Sequence, residues 1–237
     1  MRLHQIFRYA IDIILPNRCP GCGKFIPWDE YICVDCAGKL SPANGLCKKC
    51  GFKKCSCGKN PPNYDSFISC FFYKGKAING IMGMKTASNA NFGIFCGQII
   101  AGIVKLSKVN YDYIVPVPMN KKDKKLRGFN QAEIIAGEIS RQCNIPVDNT
   151  ILYKEFSSVK HHNLTAEERA KNVNSFKINL ISLSGDKILL VDDVFTTGSI
   201  ANHCSKLLKS NEAAYVGIAT AVVTDFKQSA NKDRTLS

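Results

Sequence analysis

Eight of the twelve cysteines in this 237-residue chain lie between Cys19 and Cys57, and they come in pairs. Cys19-x-x-Cys22 and Cys33-x-x-Cys36 are two knuckles ten residues apart, followed by Cys47-x-x-Cys50 and the compressed pair Cys55-x-Cys57. The same stretch has little periodic apolar pattern and is rich in Gly and Lys, so it has no core to hold it together. A ligand shared by the sulfurs has to do that work. Two residues between cysteines let both thiolates wrap one tetrahedral ion, and two knuckles complete a four-sulfur site. Eight cysteines therefore predict two Zn²⁺ ions. They are read as structural, because four protein ligands leave no position open for chemistry.

Pairing by sequence neighbours gives one set of Cys19, Cys22, Cys33 and Cys36 and another of Cys47, Cys50, Cys55 and Cys57. Spacing alone leaves a crossed pairing open, and the unusual Cys55-x-Cys57 half-site leaves a single zinc with spare cysteines as an alternative. Gly21, Gly23 and Gly51 are expected to supply the positive φ of tight knuckle turns. The competing reading, a disulfide cluster, needs an oxidising compartment. Export is not indicated: Asp12 interrupts the apolar stretch from Tyr9 to Leu15, and no small-residue cleavage site precedes Cys19. No run of about 18 apolar residues suits a spanning helix. The chain reads as cytoplasmic. Leu3, Ile6, Phe7, Ala10, Ile11 and Ile14 recur at helical spacing before Pro16, which predicts an amphipathic helix packed on its own protein in preference to a membrane or a partner.

The stretch from Gly58 to Asn63 (Gly-Lys-Asn-Pro-Pro-Asn) is turn-rich. It divides the chain into residues 1–60, an N-terminal helix with the cysteine region, and residues 64–237. In the second part, β-prone or buried-type segments at 67–73, 113–117, 187–191 and 214–223 are separated by helical patterns at 77–85, 91–106, 129–142 and 199–209. Strands separated by helices predict an α/β fold with a mainly parallel sheet covered on both faces.

The formal net charge of +13 points to anionic partners: phosphorylated ligands, nucleic acid or an anionic membrane surface. Of that charge, +6 lies in residues 1–60 and +7 in the remainder. A Zn²⁺ held by four thiolates carries a net −2, so two filled sites leave little positive charge on the cysteine region. Most of the attraction for anions then belongs to residues 64–237.

Lys187-Ile-Leu-Leu-Val-Asp192-Asp193-Val-Phe-Thr196-Thr197-Gly198-Ser199 runs from a buried strand through two acids into a turn that opens a helix. The turn offers several amide donors and the helix adds the positive end of its dipole, which together suit a phosphate dianion. The acids just before it suit hydrogen bonds from sugar hydroxyls. A solvated turn and a magnesium site are the alternatives for adjacent aspartates. The loop lacks the Gly-Lys-[Ser/Thr] ending of a Walker motif.

At these residues the chain resembles the type I phosphoribosyltransferases, whose signature for phosphoribosyl pyrophosphate (PRPP) is four apolar residues, two acids and a Thr/Gly turn. The resemblance implies that Asp192 and Asp193 hold the ribose hydroxyls, and that Thr196, Thr197, Gly198, Ser199 and the amide of Ile200 wrap the 5′-phosphate. Ile200 stands where that family usually has Thr. Val115-Pro116-Val117-Pro118 followed by Arg127-Gly128-Phe129-Asn130-Gln131-Ala132 narrows the resemblance to the ComF family, the competence-protein phosphoribosyltransferase-like group. Leu164-Thr165-Ala166-Glu167-Glu168-Arg169 with Asn172, Val173 and Phe176 is similar to its hood segment, and the cysteine pairs match its double zinc ribbon. By this resemblance the loop after Pro118 faces the pyrophosphate, through Lys122, Lys125 and Arg127. A solvated basic loop is the alternative. Lys122 stands where the family commonly has Arg, and His161 where it commonly has Gln.

The fold implied is a type I phosphoribosyltransferase-like domain behind a small zinc ribbon, binding PRPP with Mg²⁺ as a candidate pentosyl transferase whose acceptor nothing in the sequence names. The family further implies DNA uptake during natural transformation, beside a helicase-like ATPase at the inner face of the membrane. The alternative is a non-catalytic, PRPP-sensing adaptor that binds single-stranded DNA, through the lysines after Asn120 and through aromatics such as Phe52 or Tyr64 where these are not taken up by packing. A weaker third reading is a structural adaptor docking through residues 3–14.

Overall fold

The computed structural model describes residues 16–55, 57–86, 89–155, 173–179 and 182–225. The expected helix at residues 3–14, His161, and the hood segment from residue 164 to residue 172 lie outside these. In chain order the elements are α1 (Val34–Ala37), β1 (Ser66–Phe72), α2 (Lys76–Thr86), α3 (Asn91–Leu106), β2 (Tyr113–Pro116), α4 (Lys121–Arg127), α5 (Gln131–Cys143), β3 (Leu152–Lys154), β4 (Phe176–Ile178), β5 (Lys187–Phe195), α6 (Ser199–Ser210) and β6 (Tyr215–Val223).

β1, β6, β5 and β2 form a sheet in that order, and every neighbouring pair is parallel. The two central strands carry near-continuous apolar runs, Ile188–Val191 and Val216–Val223, as a sheet covered on both faces demands. On one face Ile81 and Met84 of α2, Phe92, Cys96 and Ile100 of α3, and Ile135, Ala136 and Ile139 of α5 pack against Ile114, Leu189, Val191 and Ala219. Their spacing of three and four residues puts them on one stripe of each helix. On the other face Ala201, Cys204 and Leu208 of α6 and the antiparallel hairpin β3–β4, through Leu152 and Phe176, cover Ile188, Leu190 and Ile218.

The cysteine region is fused to this body along the free edge of β1. Phe72 N donates to Ser41 O at 2.8 Å, Ala43 N to Cys70 O at 3.0 Å, and Phe67 N to Lys48 O at 2.7 Å, so residues 41–48 cover an edge that would otherwise offer open backbone groups. Cys19, Ile26, Ile32, Cys36 and Leu40 join the core on the α2–α3 face. Ala43, Leu46 and Phe52 join the opposite one.

Four features differ from the sequence reading. The basic stretch after Asn120 is a short helix, not a loop: the Asn120 side chain accepts from Lys122 N, Gly128 closes the helix at φ +84°, and lysines are good helix formers. α5 starts at Gln131 because Asn130 is its cap, accepting from Ala132 N at 3.1 Å. β5 continues through Asp192 and Asp193 to Phe195, held by pairing with β6 as far as Val223, so the acids sit within the strand. The three-residue strands β3 and β4 are too short to show a period.

Candidate functional site

The two cysteine sets are those of neighbour pairing. The sulfurs of Cys19, Cys22, Cys33 and Cys36 all lie within 4.8 Å of one another, and so do those of Cys47, Cys50, Cys55 and Cys57. Zn–S bonds of about 2.3 Å in a tetrahedron put sulfurs about 3.8 Å apart. Cys22 Sγ and Cys33 Sγ are 3.8 Å apart, and Cys47 Sγ and Cys57 Sγ are 3.9 Å apart. Each set therefore fits one Zn²⁺. Backbone amides aid ionisation. Hydrogen bonds from the amides of Cys50 and Lys49 bring Cys47 down to about 6. At Cys19 burial opposes ionisation, but amides of Cys33, Gly21 and Cys22 outweigh it and lower the thiol to about 7. Gly23 and Gly51 have the expected positive φ, +76° and +77°. Gly21 does not; it is needed because a Cβ there would stand 2.8 Å from Cys36 Sγ.

At the carboxyl end of β5, Asp193 N donates to Asp192 Oδ1 at 2.8 Å. Burial, and then the neighbouring Asp193 charge, push Asp192 well above the usual carboxylate range. Lys85, in the last turn of α2, lies 3.3 Å from Asp193 Oδ2. Three residues past the strand the chain turns through Gly198 at φ +73° into α6. Only glycine fits: a Cβ at 198 would meet Phe195 Cζ at 2.7 Å. The turn leaves Thr196, Thr197 and Ser199 exposed at the start of a twelve-residue helix, with Thr197 Oγ1 and Ser199 Oγ 2.8 Å apart. Ile200 is half-buried, its side chain packed against the α6 face of the core. Exposed hydroxyls and amides at a helix N-terminus suit an oxyanion.

Lys122, Lys125 and Arg127 lie on α4, which follows β2, the strand beside β5. Lys122 and Lys125 are exposed; Lys124 is tied to Glu133 at 2.7 Å. Lys154, at the end of β3, links this helix to the acids. Burial lowers its pKa, while Asp123 of α4 and Asp192 both pull it upward, so its ammonium stands within electrostatic reach of each. Its Nζ is 4.6 Å from the centroid of the Phe176 ring. The structure thus gathers the predicted acids, phosphate turn and basic segment at one end of the sheet, and adds Lys85 and Lys154. Lys85 closes a helix that is legible in the sequence; Lys154 sits in a strand with no pattern.

The aromatics offered for base stacking go elsewhere. Tyr64 is buried and donates its hydroxyl to Cys50 O at 3.0 Å. Phe52 is half-buried, its ring centroid 5.5 Å from that of Phe195. Among the described residues no helix is long and apolar enough to cross a membrane.

The double zinc ribbon domain family matches residues 10–64. Across most of its length the chain is similar to competence protein F of Haemophilus influenzae, 27% identical over 76% of this chain and 91% of that one. DNA utilization protein YhgH of Escherichia coli K12 is 25% identical over 84% of this chain and 87% of that one. Competence protein ComFC of Bacillus subtilis is 25% identical over 82% and 85%. Among solved structures, adenine phosphoribosyltransferase of Trypanosoma brucei aligns with a TM-score of 0.41 at 14% identity, over 64% of this chain and 60% of that one. Glutamine PRPP amidotransferase of B. subtilis aligns with a TM-score of 0.39 at 15% identity, over 55% of this chain and 26% of that one. Cysteine sets that fit a double zinc ribbon are thus joined to a parallel α/β domain, and sequence similarity runs through most of the chain to the proteins named competence protein F, ComFC and YhgH.

Proposed function

We propose that the protein binds PRPP with Mg²⁺ at the carboxyl end of β5 and acts as a phosphoribosyltransferase-type protein in the handling of DNA during uptake. One observation carries the binding reading: Asp192 and Asp193 stand on the same strand that delivers Thr196–Ser199 to the N-terminus of α6, beside the basic helix α4. The turn takes the 5′-phosphate and the acids accept hydrogen bonds from the ribose hydroxyls. Lys122, Lys125 and Arg127 neutralise the pyrophosphate, whose negative charge grows as it leaves C1. Mg²⁺ supplies further charge neutralisation there, and the two carboxylates are oxygen donors of the kind it prefers. The names of the relatives support the biological setting; the helicase-like ATPase and the inner membrane face rest on the family resemblance.

Equilibrium dialysis with labelled PRPP tests the reading. Binding is expected only with Mg²⁺ present and is lost in the Asp192→Asn/Asp193→Asn double variant. Affinity equal to wild type in that variant overturns the site.

A second reading, a non-catalytic PRPP-sensing adaptor that binds single-stranded DNA, has one observation in its favour. The first ribbon exposes Phe25 and Trp28, with the Arg18 guanidinium 4.2 Å from the Phe25 ring centroid. Fluorescence anisotropy with a labelled oligonucleotide separates the surfaces. If α4 binds the strand, replacing Lys121, Lys122, Lys124 and Lys125 by Ala flattens the salt dependence; if the ribbon does, Phe25→Ala and Trp28→Ala weaken binding instead.

A further inference from the structure

The sheet leaves a cavity of about 680 Å³ between the second cysteine cluster and the carboxyl ends of β1 and β6. Leu46, Gly51 and Phe52 line it from the ribbon side, Phe72 from the end of β1, Thr224 and Asp225 from the end of β6, and Thr197 from the phosphate turn. Lys53 and Lys54 complete the lining. Lys53 crosses from ribbon to sheet: its Nζ lies 2.6 Å from Asp225 Oδ2 and 4.6 Å from the Phe72 ring centroid. Those two side chains are committed to one another. Lys54 brings a second, exposed cation to the same cavity.

The position of the cavity has a chemical meaning once the strand order is considered. β5, with its two acids, lies between β2 and β6. The basic helix α4 follows β2 on one side, and the cavity opens at the ends of β6 and β1 on the other. Displacement with inversion at a sugar C1 requires the nucleophile to enter from the face opposite the leaving group. With pyrophosphate on the α4 side, the entering group comes from the cavity side.

We propose that this cavity is the acceptor pocket, and that it takes a flat aromatic molecule carrying one anionic group. This rests on the PRPP reading given above. Leu46, Phe52 and Phe72 provide an apolar wall for a ring system, and the volume falls in the usual range of small-ligand sites. Lys54 provides the counter-charge. In the transfer, an acceptor nitrogen uses its lone pair to form the bond to C1 as the C1–O bond breaks. That electron pair leaves on the pyrophosphate oxygen, and the proton of the acceptor nitrogen passes to water at the cavity mouth. The second zinc ribbon thereby serves as one wall of a substrate site as well as a cover for the edge of β1.

Calorimetric titration of the zinc-loaded full chain tests this, with quinoline-2-carboxylate as the probe and quinoline-2-carboxamide as its uncharged isostere. Wild type is expected to bind the carboxylate at least tenfold more tightly than the amide. Lys54→Glu and Phe52→Ala each weaken carboxylate binding at least tenfold. Lys59→Glu, the same charge change on the same ribbon away from the cavity, leaves it unaltered. Lys54 is exposed, so its variant folds even if Phe52→Ala does not. Equal affinities for carboxylate and amide, or a Lys54→Glu variant indistinguishable from wild type, overturn the assignment. Mg-PRPP titrated into the same wild-type preparation separates the two layers. Binding of PRPP without the Lys54-dependent carboxylate site removes the cavity's role alone, whereas Lys54-dependent binding without PRPP removes the acceptor role through the reading beneath it.

Discussion

Lys85 Nζ stands 3.3 Å from Asp193 Oδ2, so the last turn of α2 reaches across to the acid pair on β5. The Lys85 charge also opposes the upward push that burial and Asp193 exert on Asp192. If both acids bind ribose as carboxylates, PRPP affinity falls as pH drops through the raised Asp192 pKa. Lys85→Met removes the opposing charge and moves that falling limb to higher pH. Dissociation constants for Mg-PRPP measured across pH 5–8 check this; an unmoved limb contradicts it.

The same shift makes a statement about stability. Asp192 has a folded-state pKa above its unfolded value, so the folded chain holds an extra proton between the two. Its contribution to stability is complete below the unfolded pKa of about 3.9 and is lost as pH rises through the folded one. Above the unfolded pKa the buried acid is therefore destabilising, increasingly so up to the folded one. Asp192→Asn is expected to raise Tm by about 2–4 °C at pH 7.5, the size of a change of about 1 kcal/mol in a chain of this length, with a smaller gain at lower pH. Thermal unfolding at two pH values checks it, and a lowered Tm at neutral pH contradicts it.

The two cysteine sets share no ligand, so their losses should be independent. Wild type is expected to carry two zinc ions per chain. Cys36→Ser and Cys50→Ser should each retain one, and the double variant none. Metal analysis by mass spectrometry decides between this and a crossed arrangement: Cys22→Ser/Cys36→Ser, which removes two ligands of one set, should still retain one ion, whereas crossed pairing puts those cysteines on different ions and would lose both. The Cys50 variant should also disturb the cavity, because Gly51 and Phe52 follow directly.

Gly198 and Ser199 are neighbours with opposite expected costs. Ala at 198 would hold φ near +73° and place its Cβ against the Phe195 ring, costing on the order of 1–3 kcal/mol. Ser199→Ala loses one exposed hydroxyl contact and should change stability by no more than about 0.5 kcal/mol. Both should weaken phosphate binding. Urea unfolding checks the first contrast, and equal stabilities contradict it.

Much of this site was legible because its signals are local. The Cys-x-x-Cys knuckles, the apolar run into Asp192–Asp193 and the Thr-Thr-Gly-Ser turn are each a few residues long, and the structure leaves them as compact as the sequence has them. What was missed depends on tertiary contact. Lys85 and Lys154 are ordinary lysines until α2 and β3 are placed beside β5. The basic helix α4 is set by its caps Asn120 and Gly128 and not by any apolar stripe, because all its residues are exposed or half-buried. Tyr64 reads from the sequence as a packing residue before a stacking one, as its burial bears out, but its hydroxyl bond to Cys50 O is a tertiary contact with no local signal.

The central claim is that one ligand bridges the turn at Gly198, the acids on β5 and the helix α4. ³¹P NMR of Mg-PRPP bound to the zinc-loaded protein reports on these contacts separately, because the 5′-phosphate and the two pyrophosphate phosphorus atoms give distinct resonances. The 5′-phosphate signal is expected to shift on binding and to return toward its free position in Gly198→Ala. The pyrophosphate signals should respond to Lys122→Ala/Lys125→Ala while the 5′-phosphate signal holds. Three resonances that stay at their free positions at saturating protein, or that move alike in both variants, contradict the account.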